Sequence, residues 1–150
     1  MCKARIPNHT DRGQRLKFKI FDPVFEETVW VFAGEPFSEA IKHARKHYNV
    51  IVDVEEGDDE ADGFSFYLFC EGRYGYIWLD RLPKKADVEF VNLVSHEAGH
   101  HAFHVLKDIG DPPNAGTNEE VFLYLQGFYI NAILTKLYGK KGKPKRESKV

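Results

Sequence analysis

The stretch DVEFVNLVSHEAGHHAFHVLKD, residues 87–108, decides how the chain is read. Its apolar residues Val88, Val91, Leu93, Val94, Ala98, Phe103 and Val105 supply the apolar surface of a helix. Asp87 stands where a side-chain oxygen caps a first turn. A helix running through roughly Asp108 is therefore expected. His96 and His100 lie four apart on it and share a face, and Glu97 follows the first of them directly.

Working outward, Gly110-Asp111-Pro112-Pro113-Asn114-Ala115-Gly116 breaks the helical pattern. Thr117 is a cap for a second long helix, Asn118 to about Tyr138, which Gly139 ends. Upstream, residues 16–21 alternate like a half-buried strand, Asp22-Pro23 marks a turn, and residues 28–32 form a β-branched and aromatic run. A helix is expected from Glu39 to Tyr48, preceded by Ser38 and closed by Asn49. Three further strands follow, at residues 50–54, 64–69 and 74–79, the last two spaced as a hairpin about Glu71-Gly72-Arg73. The acidic residues 55–63 lack the oxygen-ligand spacing of a calcium loop and read as a solvated turn. The order predicts an α+β fold: a mixed or antiparallel sheet of about five strands with one helix, then two long antiparallel helices, all helices on one sheet face.

The chain has 150 residues, 43% hydrophobic and 29% charged, with a net charge of −2. This suits one soluble domain, expected over residues 15–139 after an irregular segment 1–14. No apolar run approaches the roughly 20 residues of a membrane span, and the N-terminus lacks the apolar centre of a signal peptide. Cys2 and Cys70 form neither a disulfide framework nor a metal-binding spacing, and Cys70 reads as a buried strand thiol. A cytoplasmic location is expected. The end of the chain carries Lys140, Lys141, Lys143, Lys145, Arg146 and Lys149 against Glu147 alone. Residues 140–150 are expected to be a disordered, solubilising tail; contact with nucleic acid is the alternative.

The pentad His96-Glu97-Ala98-Gly99-His100 has the H-E-x-x-H form in which two imidazoles hold one metal ion and the glutamate serves its water as general base. Zinc is expected from imidazole and carboxylate donors, with three protein ligands and one open position. The third ligand is sought on the next helix, whose start is expected to lie alongside the middle of the first. Glu120 is the expected donor, because it shares a face with Tyr124 and Gly127, a phenol and an open space. Glu119, the other candidate, reads as a first-turn carboxylate favoured by the helix dipole. His101 points off the metal face and reads as a surface or helix-packing residue. His104 drifts about 40° round the helix from His100. Asp108 and Asp111 sit too near the helix end to fold back. Phe103 and Leu106 occupy the places where a metzincin needs glycine and a third histidine. Residues 74–79 read as a core hairpin strand, or alternatively as a sheet edge that a peptide extends.

The H-E-x-x-H pentad followed by Asn118-Glu119-Glu120-Val121-Phe122-Leu123-Tyr124-Leu125-Gln126-Gly127 resembles small gluzincin-like metallopeptidases. With Tyr76-Ile77-Trp78-Leu79 upstream, it is similar to short H-E-x-x-H proteins of phages and prophages. The resemblance covers about residues 74–131. It implies a zincin-like domain that hydrolyses a peptide or protein substrate, with zinc on His96, His100 and Glu120, and Glu97 as base. Leu123 departs from the thermolysin-type pattern, which places an aspartate there and would put the ligand at Glu119. No histidine or arginine is evident for the oxyanion, so that role falls to Tyr124 or the metal. The alternatives are a zinc-binding structural or assembly protein with little turnover, and a nucleic-acid-binding accessory protein.

Overall fold

A computed structural model describes residues 14–53, 61–70, 72–111 and 118–139. The expectations for residues 1–13, for most of the acidic stretch, for the Pro112–Pro113 break with its Thr117 cap, and for the basic tail lie outside these residues. So does the side chain of Cys70.

Strands β1 (Leu16–Asp22) and β2 (Glu27–Ala33) pair antiparallel, with Leu16 opposite Ala33 and Asp22 opposite Glu27. The turn between them is organised by Asp22, whose Oδ1 accepts from the Val24 N–H at 2.9 Å and the Phe25 N–H at 3.4 Å. This is the local turn that aspartate favours. Helix α1 (Phe37–Tyr48) follows, and Asn49 closes it in the left-handed region at φ 50°. Its N–H donates to the Arg45 carbonyl at 3.1 Å. Strands β3 (Gly63–Cys70) and β4 (Gly72–Leu79) form the second antiparallel pair, and β4 runs parallel to β2. The order across the sheet is β1-β2-β4-β3.

Four strands are present among the described residues, where about five were expected. Residues 50–53 are irregular. Their alternation is real, with Val50 and Val52 packed on the core beneath α1 and Ile51 88% exposed, but no strand among the described residues supplies a ladder. A segment with one side against a protein surface has a strand's pattern without being a strand. The mixed sheet of the α+β prediction is observed.

The helices occupy both faces, not one. Val29, Val31 and Ala33 of β2 and Ile77 and Leu79 of β4 pack under α2 (Val88–Asp108) and α3 (Glu119–Tyr138). The intervening residues, Phe32, Tyr76 and Trp78, pack under α1. Central strands with apolar residues on both sides must be covered twice. Polar tips on the α1 side are satisfied locally. The Trp78 indole donates to the Glu35 carbonyl at 2.7 Å, and the Tyr76 hydroxyl lies 2.7 Å from His43 Nδ1. Burial first, then the charge of His47, pushes His43 down to about 4, so its imidazole stays neutral there.

The two long helices are antiparallel. Phe90 near the start of α2 meets Tyr138 at the end of α3, with ring centroids 6.1 Å apart. At the other end, the Asn118 amide donates to the Asp111 carboxylate. No helix among the described residues is long and apolar enough to cross a membrane. β4 is central, so residues 74–79 are a core strand and offer no edge to a peptide; among the described residues the sheet edges are β1 and β3.

Candidate metal centre

Helix α2 begins as its sequence requires: Asp87 accepts from the Phe90 N–H at 2.7 Å. Two sides of the helix are then occupied by different neighbours. Ser95 and Gly99 face α3, where Gln126 donates to the Ser95 carbonyl at 3.0 Å. A Cβ on Gly99 would lie 3.0 Å from the same Gln126 nitrogen. Leu93 and Glu97 face the start of β3, for a Cβ on Gly63 would lie 2.8 Å from Leu93 Cδ1 and 2.9 Å from Glu97 Cγ. Between these flanks His96 and His100 stand exposed.

The two imidazoles converge. Their Nε2 atoms are 3.0 Å apart and their ring planes cross at 85°. Without a metal this is one ring N–H donating to the other ring's lone pair. Two nitrogens at zinc-ligand distance on a tetrahedral ion would be about 3.3 Å apart, so a small adjustment turns the pair toward a shared cation. Partial burial first, and the neighbouring His96 second, hold His100 below the usual histidine range. That favours the neutral, lone-pair-bearing form that a metal needs.

Glu97 is 4% exposed, and burial pushes its carboxyl up to about 7. A carboxylate in that range both accepts and returns a proton near neutrality. Its Oε1 lies on the β3 side of the helix, 2.9 Å from where a Cβ on Gly63 would stand.

The α3 residues are placed differently. Glu119 and Glu120 lie in its exposed first turn and Tyr124 is 70% exposed. Gly127 leaves the open space expected of it, with nothing within 4 Å of an added Cβ. Gln126 is the residue that reaches Ser95 and Gly99, and the two glutamates precede it by about two turns, roughly 10 Å along the axis. The start of α3 thus lies beside the end of α2, because α2 continues two turns past His100 before the chain reverses. Glu119, seven residues before Gln126, lies on its stripe, whereas Glu120 is turned about 100° from Glu119. Among the described residues no three His, Cys, Asp or Glu side chains gather as a metal-binding group. His96 and His100 are brought together, with Glu97 next to His96 in the chain; Glu120 and Tyr124 are not gathered with them.

His101 is not a surface residue. It is fully buried, and its Nε2 pairs with Glu27 Oε1 of β2. Glu27 also accepts from the Tyr67 hydroxyl at 3.1 Å, and the Tyr129 hydroxyl lies 3.2 Å from Glu27 Oε1 and 2.9 Å from Asp22 Oδ2. Burial and the adjacent carboxylates raise both phenols well above the ordinary tyrosine range, so they remain donors. This polar cluster was legible only in part. Glu27 falls on the same strand side as Val29 and Val31, and His101 on the helix side of Ala98, Ala102 and Val105.

Gly75 makes the cluster possible. Its Cβ would fall 2.1 Å from His101 Cε1. Gly75→Ala is expected to destabilise the protein by about 3 kcal/mol, at the upper end for overpacking. Denaturant unfolding checks this, and an alanine variant within about 0.5 kcal/mol of wild type, the range of an innocuous surface change, would contradict the close fit. His104 is half-buried, and burial first, then His101 and His100, keeps it below the usual histidine range.

Comparison with protein families, with curated proteins and with solved structures found no match for the chain.

Proposed function

We propose that the chain is a zinc-dependent peptidase in which His96 and His100 hold the ion and Glu97 is the general base. The observation that carries this reading is the convergence of two imidazole nitrogens 3.0 Å apart beside a buried carboxyl raised to about 7. Bound zinc would polarise a substrate carbonyl and lower the pKa of a coordinated water. Glu97 takes the proton of the attacking water on its carboxylate and delivers it to the amide nitrogen that leaves. The wall of β3 and α2 around Glu97 keeps bulk water from competing for that proton. The exposure of both histidines leaves the remaining coordination positions open, as a hydrolase requires and a closed structural site does not.

The third protein donor in this proposal is a carboxylate of the first turn of α3, with Glu120 the sequence expectation and Glu119 the one on the stripe facing α2. Either must approach the histidines from about two turns away. The second reading is a zinc-binding protein with little turnover, which would hold the metal without cleaving peptides.

Zinc content and cleavage of a peptide mixture are measured together, for wild type, His96→Ala, Glu119→Ala and Glu120→Ala. Wild type is expected to bind one zinc and to cleave peptides, losing activity to a chelator and regaining it with zinc. His96→Ala is expected to lose both. The true third donor is the glutamate whose removal weakens zinc binding about 10–100-fold or more, since outer-shell partners alone have effects of that size. Zinc binding without cleavage selects the second reading, and unchanged zinc binding in His96→Ala ends both.

A further inference from the structure

We propose that Gly63, the first residue of β3, is a positioning residue for Glu97: its missing side chain is the space in which the Glu97 side chain lies. The inference rests on the reading of Glu97 as the base.

Gly63 is not needed for its backbone. It is absent from the positive-φ glycines, Gly34, Gly72 and Gly110, and it pairs with Leu79 in the ordinary antiparallel register. Any residue could adopt that conformation. What glycine supplies is room. A Cβ there would lie 2.9 Å from both Cγ and Oε1 of Glu97 and 2.8 Å from Leu93 Cδ1, all closer than carbon contacts allow. Leu93 and Glu97 are one helical turn apart, so β3 seats against the same stripe of α2 that carries the carboxyl.

The colliding atoms are side-chain atoms, a Leu93 methyl with Cγ and Oε1 of Glu97, not backbone. A methyl group at position 63 can therefore be accommodated by turning Glu97 and Leu93 to other rotamers while sheet and helix keep their places. The fold survives and the carboxylate moves. A displacement of about 1 Å from productive geometry costs roughly 100-fold in rate. Gly63 thus restricts which side chains the edge strand tolerates beside the pentad, a restriction that the pentad itself does not announce.

The test is Gly63→Ala, read first in metal-free protein by the NMR resonance of the Glu97 carboxyl carbon, assigned by its loss in Glu97→Gln. The expected result is a displaced Glu97 resonance with a near wild-type melting temperature and unchanged zinc affinity, together with about 100-fold slower peptide cleavage. Gly63→Ala/Leu93→Ala removes the leucine contact and keeps the glutamate contact, so the same displacement is expected there even if the single variant folds poorly. An unmoved Glu97 resonance in the double variant overturns the proposal. A wild type that cleaves nothing removes the peptidase reading, while the resonance still reports whether Gly63 sets the place of Glu97.

Discussion

Glu27→Ala is expected to lower the unfolding free energy by about 3–5 kcal/mol, although Glu27 is far from the histidine pair in sequence. Glu27 is wholly buried and is the shared acceptor for His101, Tyr67 and Tyr129. Its removal takes this acceptor from buried donors, each lost bond costing about 1–3 kcal/mol, while Tyr129 keeps a second acceptor in Asp22. At this chain length the loss corresponds to a melting temperature lower by roughly 6–20 °C. Because His101 follows His100 directly, the same change loosens the rotation of α2 about its axis. Denaturant unfolding of Glu27→Ala beside the milder Glu27→Gln measures the effect. A loss below about 1 kcal/mol in Glu27→Ala would show that the pair contributes no more than an exposed salt bridge.

Glu97→Gln is expected to separate stability from chemistry. The carboxyl lies at about 7 in the folded chain against an ordinary 4.5, and burial is the cause. The folded state therefore binds this proton more tightly than the unfolded state does. The cost of burying the charge is absent below pH 4.5, grows as pH rises through the window from 4.5 to 7, and is complete above it. The gap corresponds to about 3 kcal/mol at most. Metal-free Glu97→Gln should therefore be more stable than wild type above pH 7 by up to about 3 kcal/mol and no more stable below pH 4.5. Zinc retention should be unaffected, while cleavage should fall about 100- to 10,000-fold, the usual contribution of a general base. Unfolding curves at several pH values give the first result, and zinc analysis with a peptide assay gives the second. A variant that cleaves like wild type would remove Glu97 from the chemistry, whatever its stability.

Both predictions depend on side chains whose partners are remote in sequence, and this marks where sequence reading stopped. Helix α2 was legible because its apolar period and Asp87 cap are local. The same holds for the αL residue Asn49 and for the strand runs at β1, β2, β3 and β4. Residues 50–53 misled for the converse reason, since alternation records burial on one side and is blind to whether a neighbouring strand is there to bond.

By itself, then, the sequence determined the three helices and four of the five expected strands, and that His96 and His100 share a helical face with Glu97 beside them. These follow from bond geometry within a few residues. Only the tertiary structure decided that β4 lies between β2 and β3, that helices cover both faces of the sheet, and that His101 meets Glu27 across 74 positions. It also decided that the first turn of α3 lies beside the end of α2, because α2 runs on past its histidines. Such contacts are fixed by packing and chain reversal, which sum over the whole molecule and leave no period in any one stretch of it.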